Sequence, residues 1–174
     1  SVPIVISGAL KEWIRENMDS GVASQVQVVA NGVGSERFRP LREESHEGTF
    51  RLAFAGLLKP HYGLECVIDA AKRLSGDDIS FHIYGAGPAK SKLEDLSGDV
   101  GNFVLEGEVP FRSVPDRLSE MDGVLYTTSP HYAYQSPTKL FEYMAVGRPI
   151  VAARTPQTED ILEEGKLGRL FEME

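Results

Sequence analysis

Apolar residues in this chain fall into short dense runs, separated by stretches where they recur every three or four positions. The dense runs at 26–30, 50–56, 79–85, 103–106, 123–128 and 149–153 read as buried strands. The periodic stretches at 63–74, 89–96, 114–121 and 137–146 read as amphipathic helices. In the first of these, Leu64, Val67, Ile68, Ala71 and Leu74 share one face. Strands that are apolar throughout, alternating strictly with helices, predict a parallel sheet covered on both faces. The expected fold class is therefore α/β with a doubly wound parallel sheet. In such sheets ligands lie beyond the carboxyl ends of the strands, which directs attention to the loops there.

The two ends of the chain depart from this rhythm. Residues 2–6 are strand-like, 9–18 suggest a helix carrying Trp13, Ile14 and Met18, and Asn31-Gly32-Val33-Gly34 reads as a turn or hinge. Residues 41–49 are polar and charged, and 169–171 suggest one more short strand. The expected organisation is a remnant of something preceding the domain at 1–40 and one domain at 41–174, the whole cut from a longer protein.

The most informative segment is 129–153, SPHYAYQSPTKLFEYMAVGRPIVAA. Ser136 suits a helix N-cap and Pro137 the first helical position. Lys139 then falls in the first turn, where the helix dipole repels a cation. An anion bound at that helix start removes the conflict, and helix starts are natural phosphate sites. Thr138, Lys139 and Glu142 share a side of the helix, one turn deep. A phosphate anchor and a carboxylate so spaced suit the diphosphate and the ribose of one nucleotide.

Three other strand-end loops carry candidates. Gly56 and Gly63 bracket Lys59, which is within reach of a phosphate; turn formation alone explains the same glycines equally well. Gly85-Ala86-Gly87-Pro88 holds part of a dinucleotide fingerprint, but Lys90 stands where the third glycine belongs, so a tight turn suffices. The run ending at Val109-Pro110-Phe111 offers a backbone edge and an aromatic ring for a base, although a lone Phe more often packs on its own helix.

Charge narrows the partners. The net charge of −8 argues against a nucleic-acid footprint. An acidic chain that binds phosphate must gather its cations locally, and Lys59, Arg112, Lys139 and Arg154 lie in or beside predicted loops; Arg112 and Arg154 taken singly read as solvated. The single cysteine, Cys66, sits on the apolar helix at 63–74 and reads as a core residue. His46, His61, His82 and His131 lack ligand spacing, so no metal site is expected. With neither a membrane-length apolar run nor a leader, a cytosolic setting is expected. The nucleophile-elbow, phosphate-loop Gly-Lys-Ser/Thr and His-Glu-x-x-His patterns do not occur.

Five ordered matches over about residues 28–171 carry a family resemblance. They are Asn31-Gly32-Val33 with Phe38-Arg39-Pro40; Phe54-Ala55-Gly56 with Gly63; Tyr84-Gly85-Ala86-Gly87-Pro88; Leu105-Glu106-Gly107-Glu108-Val109; and Glu142-Tyr143-Met144-Ala145 with Gly147-Arg148-Pro149-Ile150-Val151-Ala152. In this order they resemble the C-terminal, nucleotide-sugar-binding domain of retaining GT-B glycosyltransferases of the group 1, family 4 type, a Rossmann-like half of that fold. The resemblance implies transfer of a hexosyl unit from a nucleotide diphosphate sugar, UDP- or GDP-linked, to an acceptor hydroxyl in polysaccharide or glycolipid assembly. It implies no metal and no other cofactor.

The same resemblance assigns roles. Glu142 would hold the ribose hydroxyls, and Ser136, Pro137, Thr138 and Lys139 would face the diphosphate, with Lys139 neutralising its charge. Gly56, Lys59 and Gly85 would border the phosphates, and Val109 and Pro110 the base. Where the family commonly has a second glutamate against the donor sugar this chain has Tyr134, counted with Lys139 as a catalytic candidate. Leu57 and Tyr62 replace the usual Arg and Lys of the first loop. The resemblance makes 1–40 an inter-domain or N-terminal segment and the parent a two-domain enzyme. The acceptor, a sugar or lipid-linked sugar, would be held by an N-terminal domain outside this chain, so the fragment should bind nucleotide yet transfer little. The resemblance places the whole enzyme in the cytoplasm, with the inner membrane face as a peripheral site. A nucleotide-binding module without transfer activity and a GT-B-like sugar-nucleotide epimerase are the alternatives; a dehydrogenase would leave the Lys139–Glu142 helix unexplained.

Overall fold

The computed structural model describes residues 2–40, 48–129 and 136–173. Its centre is a six-stranded parallel sheet of β3 (Phe50–Ala55), β4 (Ile79–Tyr84), β5 (Phe103–Gly107), β6 (Gly123–Tyr126), β7 (Ile150–Ala153) and β8 (Arg169–Phe171). The strands lie in the order β5-β4-β3-β6-β7-β8. The chain winds outward in one direction from β3, then returns to start again at β6 on its other side. That is a doubly wound α/β domain of Rossmann-like order, with the topological switch between β3 and β6.

Alternate residues of each strand face opposite layers. On one side Ala53, Ala55, Val124, Tyr126 and Ala152 meet Leu118 of α5 (Val114–Ser119) and Leu140, Tyr143 and Val146 of α6 (Thr138–Val146). On the other, Leu52, Phe54, Phe81, Ile83 and Phe103 meet Val67, Ile68 and Ala71 of α3 (Glu65–Arg73) and Leu93 of α4 (Lys90–Ser97). Cys66 packs against this second core, with burial pushing its thiol up to about 11, which leaves it protonated and unreactive at neutral pH. At the open end of the first layer, His82 Nδ1 lies 2.7 Å from a Glu106 oxygen and His82 Nε2 3.0 Å from the Ser80 hydroxyl, tying β4 to the edge strand β5.

Two expectations shift. The strand expected at 26–30 is only β2 (Gln27–Val28), and it pairs with β1 (Ile4–Val5), outside the main sheet. Both β2 residues are exposed, so its apolar run reflects no burial in the main core. The β1–β2 connection carries α1 (Gly8–Asn17) and a short α2 (Ser20–Ala23). Helix α7 (Pro156–Ile161) was not expected, because six residues are too few to show a period. Its start is nonetheless encoded: the Thr155 hydroxyl accepts from Thr158 N, and the Thr158 hydroxyl accepts from Thr155 N. Phe38 is 3 % exposed and belongs to the α5–α6 core.

The switch point has a structural cost. Strand β3 pairs with β6 only at Leu52–Gly123 and Ala53–Val124, so the ladder stops before Ala55. The next residue of β3 whose N–H and C=O point toward β6, Ala55, therefore lacks a strand partner. Side chains from α6 take its place. Ala55 N donates to the Tyr143 hydroxyl at 2.9 Å, and Ala55 O accepts from that hydroxyl at 3.3 Å and from Lys139 Nζ at 2.6 Å. Tyr143 is fully buried. Tyr143→Phe would strand the buried Ala55 N–H, so a loss of about 1–3 kcal/mol in chemical-denaturation stability is expected; an unchanged midpoint would show that the bond contributes nothing.

Candidate functional site

A cleft of ≈ 380 Å³ opens over the carboxyl ends of β3 and β6, at the switch point. Three parts of the chain build it. The loop after β3 contributes Gly56, His61 and Tyr62; the end of β6 contributes Tyr126 and Thr128; the start of α6 contributes Ser136, Pro137, Thr138, Lys139 and Glu142. Phe111 and Val114, just after β5, close one side.

Gly56 is required here. Its φ is +152°, and a Cβ on it would lie 1.7 Å from Lys139 Nζ. Lys139 thus fills the space that a side chain at 56 would take. From there it reaches Ala55 O and stands 4.8 Å from the Phe54 ring centre and 5.2 Å from that of Tyr62. Gly85 works one layer below: a Cβ on it would meet Gly56 O at 1.9 Å, so it lets two strand-end loops stack.

Helix α6 begins one residue later than expected. Pro137 occupies the cap position, with no side-chain cap bond. Ser136 does not cap; its hydroxyl accepts from Asn31 N at 3.2 Å, and Thr138 Oγ1 accepts from Asn31 Nδ2 at 3.3 Å. In the first turn Thr138 N donates to Ser136 O at 2.9 Å and Leu140 N to Pro137 O at 2.8 Å, so what the helix start offers the cleft is chiefly the positive end of its dipole. Burial pulls the Lys139 ammonium from its ordinary 10.5 down to about 8, against the pull of Glu142. Burial likewise raises the Glu142 carboxyl, and Lys139 opposes that rise. Tyr62 is raised by burial and by Glu142, and His61 is lowered by burial and by Lys59. The cleft thus combines a partly desolvated cation, a helix N-terminus and a carboxylate one turn away. Such a set matches an anion joined to a hydroxylated ring.

Of the residues singled out from sequence, Gly56, Ser136, Pro137, Thr138, Lys139 and Glu142 come together in this cleft. Lys59 is exposed at the cap of a 3₁₀ turn, Pro60–Tyr62, and does not line it. Gly85 lies beneath Gly56. Val109 packs on the α5–α6 core and Pro110 caps the 3₁₀ turn Phe111–Ser113, so Phe111 is the member of that loop that reaches the cleft. Tyr134 lies outside the described residues. Arg154 is held by Glu159 and, at 2.6 Å, by Glu172, away from the cleft. His61, Tyr126 and Thr128 were not anticipated as site residues. The polar pair Thr127-Thr128 directly after an apolar strand was the signal that could have marked this strand end.

Among the described residues, no group of His, Cys, Asp or Glu side chains could hold a metal ion, and no helix is long and apolar enough to cross a membrane.

The sequence model of a family described as "Glycosyl transferases group 1" matches residues 49–174. A Bacillus subtilis (strain 168) protein, the candidate teichuronic acid biosynthesis glycosyltransferase TuaH, is 29 % identical over 167 residues, covering 84 % of this chain and 40 % of its own length. Three solved structures share the fold. TarM superposes with a TM-score of 0.78 at 22 % identity, over 97 % of this chain and 33 % of its own. Anabaena HepE in complex with UDP and glucose gives 0.73 at 18 %, over 97 % and 48 %. The lipopolysaccharide outer core galactosyltransferase WaaB, in its apo form, gives 0.71 at 23 %, also over 97 % and 48 %. The chain thus spans less than half the length of each of these relatives.

Lys139 sets a testable balance between stability and site chemistry. Its folded value near 8 lies below the ordinary 10.5, so between the two the unfolded chain binds more protons and stability rises with pH. Below pH 8 the buried charge is a full cost. Lys139→Met should therefore raise thermal stability at pH 7, on the order of 1 kcal/mol or more. The gap between variant and wild type should then close between pH 8 and 10.5. Thermal melts across that range check both, and a variant less stable at pH 7 contradicts the assignment.

Proposed function

The chain belongs to the glycosyl transferases group 1 family, and from that premise we propose that its cleft holds the nucleotide diphosphate of an activated sugar during transfer to an acceptor hydroxyl. One observation carries the reading: Lys139 is drawn into a partly desolvated position at the start of α6, with Glu142 one turn behind it in the same cleft. The Lys139 ammonium and the positive end of the α6 dipole face the space where a diphosphate would lie. Glu142 accepts hydrogen bonds from the ribose hydroxyls, and Phe111 borders the base. Helix dipole and cation together stabilise the charge that develops on the departing diphosphate, in a site already stripped of some water.

The finer terms of the proposal are a retaining transfer of a hexosyl unit, a UDP- or GDP-linked donor, and no requirement for a metal. The charge on Lys139 supports the last term, because it occupies the place where a cation is needed. Tyr134 is proposed to contact the donor sugar. The acceptor, a sugar or lipid-linked sugar, is proposed to be presented by a further domain, residues 1–40 belonging to the segment that joins it to the donor domain at 41–174. The proposed setting is assembly of a cell-surface polysaccharide at the inner face of the membrane; the teichuronic acid and lipopolysaccharide relatives support its polysaccharide part.

Calorimetric titration with UDP, GDP and ADP, with and without magnesium, tests this reading. One nucleotide should bind without metal, and Lys139→Ala and Glu142→Ala should each weaken it about 10- to 100-fold, the worth of one charge-assisted hydrogen bond. The affinity should also fall about tenfold per pH unit above pH 8, as free Lys139 loses its proton. Binding that neither substitution touches would place the nucleotide elsewhere.

A further inference from the structure

Helix α6 divides two hollows. Its Thr138, Lys139 and Glu142 side lines the nucleotide cleft, while Pro137 and Phe141, one turn apart, line a second pocket of ≈ 350 Å³ on the opposite side. The other walls come from the first turn of α1, where Glu12 lies a turn above Gly8, and from α7, where Gln157, Asp160 and Ile161 share a face. Ser136 and Pro137 border both hollows, so the two are adjacent.

We propose that this second pocket is a subsite for an uncharged, hydroxyl-rich ring, the glycosyl unit of the acceptor. Its lining has the two components that sugar rings need. Phe141, Ile6, Val28 and Ile161 offer an apolar surface for the ring's C–H face. Asp160 and Glu12 offer carboxylate acceptors for hydroxyls, and Gln157 an amide. Gln157 is 9 % exposed and its Nε2 is buried without a hydrogen-bond partner, a donor left unsatisfied in a pocket wall. Charge selects the ligand class. No lysine, arginine or histidine lines the pocket among the described residues, while two carboxylates do. A phosphate or uronate would be repelled there, and a neutral ring would not. The volume lies in the range of small-molecule sites and admits about one or two glycosyl rings. The role as acceptor subsite rests on the donor reading of the adjacent cleft; the binding of a neutral ring does not.

The test is saturation-transfer NMR of this chain with methyl α-glucoside, methyl β-galactoside and methyl N-acetyl-β-glucosaminide, each up to about 50 mM, suited to millimolar affinity. At least one glycoside should show transfer, unchanged by saturation with whichever of UDP, GDP and ADP binds, and cut at least about threefold in Asp160→Ala and in Gln157→Leu. Asp160 is exposed, so its variant reads the pocket even if Gln157→Leu folds poorly. Transfer that the bound nucleotide abolishes would put the ring in the nucleotide cleft and overturn the proposal, as would transfer untouched by the Asp160 variant, or none for any glycoside. Transfer by a chain that binds none of UDP, GDP and ADP would support the pocket while sinking the donor reading, so the two fail separately.

Discussion

The backbone N–H and C=O of one residue, Ala55, organise the structure around them. Where β3 and β6 part at the switch point, the backbone must leave one N–H and one C=O of the sheet without a strand partner. A buried pair of that kind costs several kcal/mol if left unmade. The chain answers with two side chains of one helix, Tyr143 and Lys139, both bonded to Ala55. Helix α6 is thereby locked in position against the sheet, and its N-terminus is aimed over the strand ends.

This lock has a chemical consequence. Tyr143 alone could satisfy Ala55, because its hydroxyl is close to both N and O. The lysine is surplus to the structural need and loses solvation by lying there. A cation kept in the first turn of a helix, against its dipole and partly out of water, is arranged for a ligand rather than for stability. Gly56 makes the arrangement sterically feasible, and Gly85 makes room for Gly56. The net negative charge of the chain sharpens the contrast, since among the described residues lining the cleft Lys139 is the one lysine or arginine.

Because α6 stands between two hollows, its sequence serves both. Residues 138, 139 and 142 line the switch-point cleft, and 137 and 141 the second pocket, at the helical spacing of three and four. The loop tie from Asn31 to Ser136 and Thr138 links residues 2–40 to the boundary between the hollows.

The alternating apolar runs and helical periods sufficed for the sheet, its parallel sense and its two covered faces, because burial on both sides leaves a pattern that is local in sequence. The chemistry of α6 was also legible, since a first-turn lysine is anomalous wherever the helix lies. Other features depended on contacts across the fold. That 27–28 leaves the main sheet, that Gly85 supports Gly56 instead of lining the cleft, and that Phe111 rather than Val109 or Pro110 reaches the site follow from how separate strand ends stack. The bond from Lys139 to Ala55, 84 residues apart, and the second pocket between α1, α6 and α7 have no local signature at all. Side-chain period and charge are properties of neighbours along the chain; where a ladder ends, and which side chain completes it, is decided only when distant segments meet.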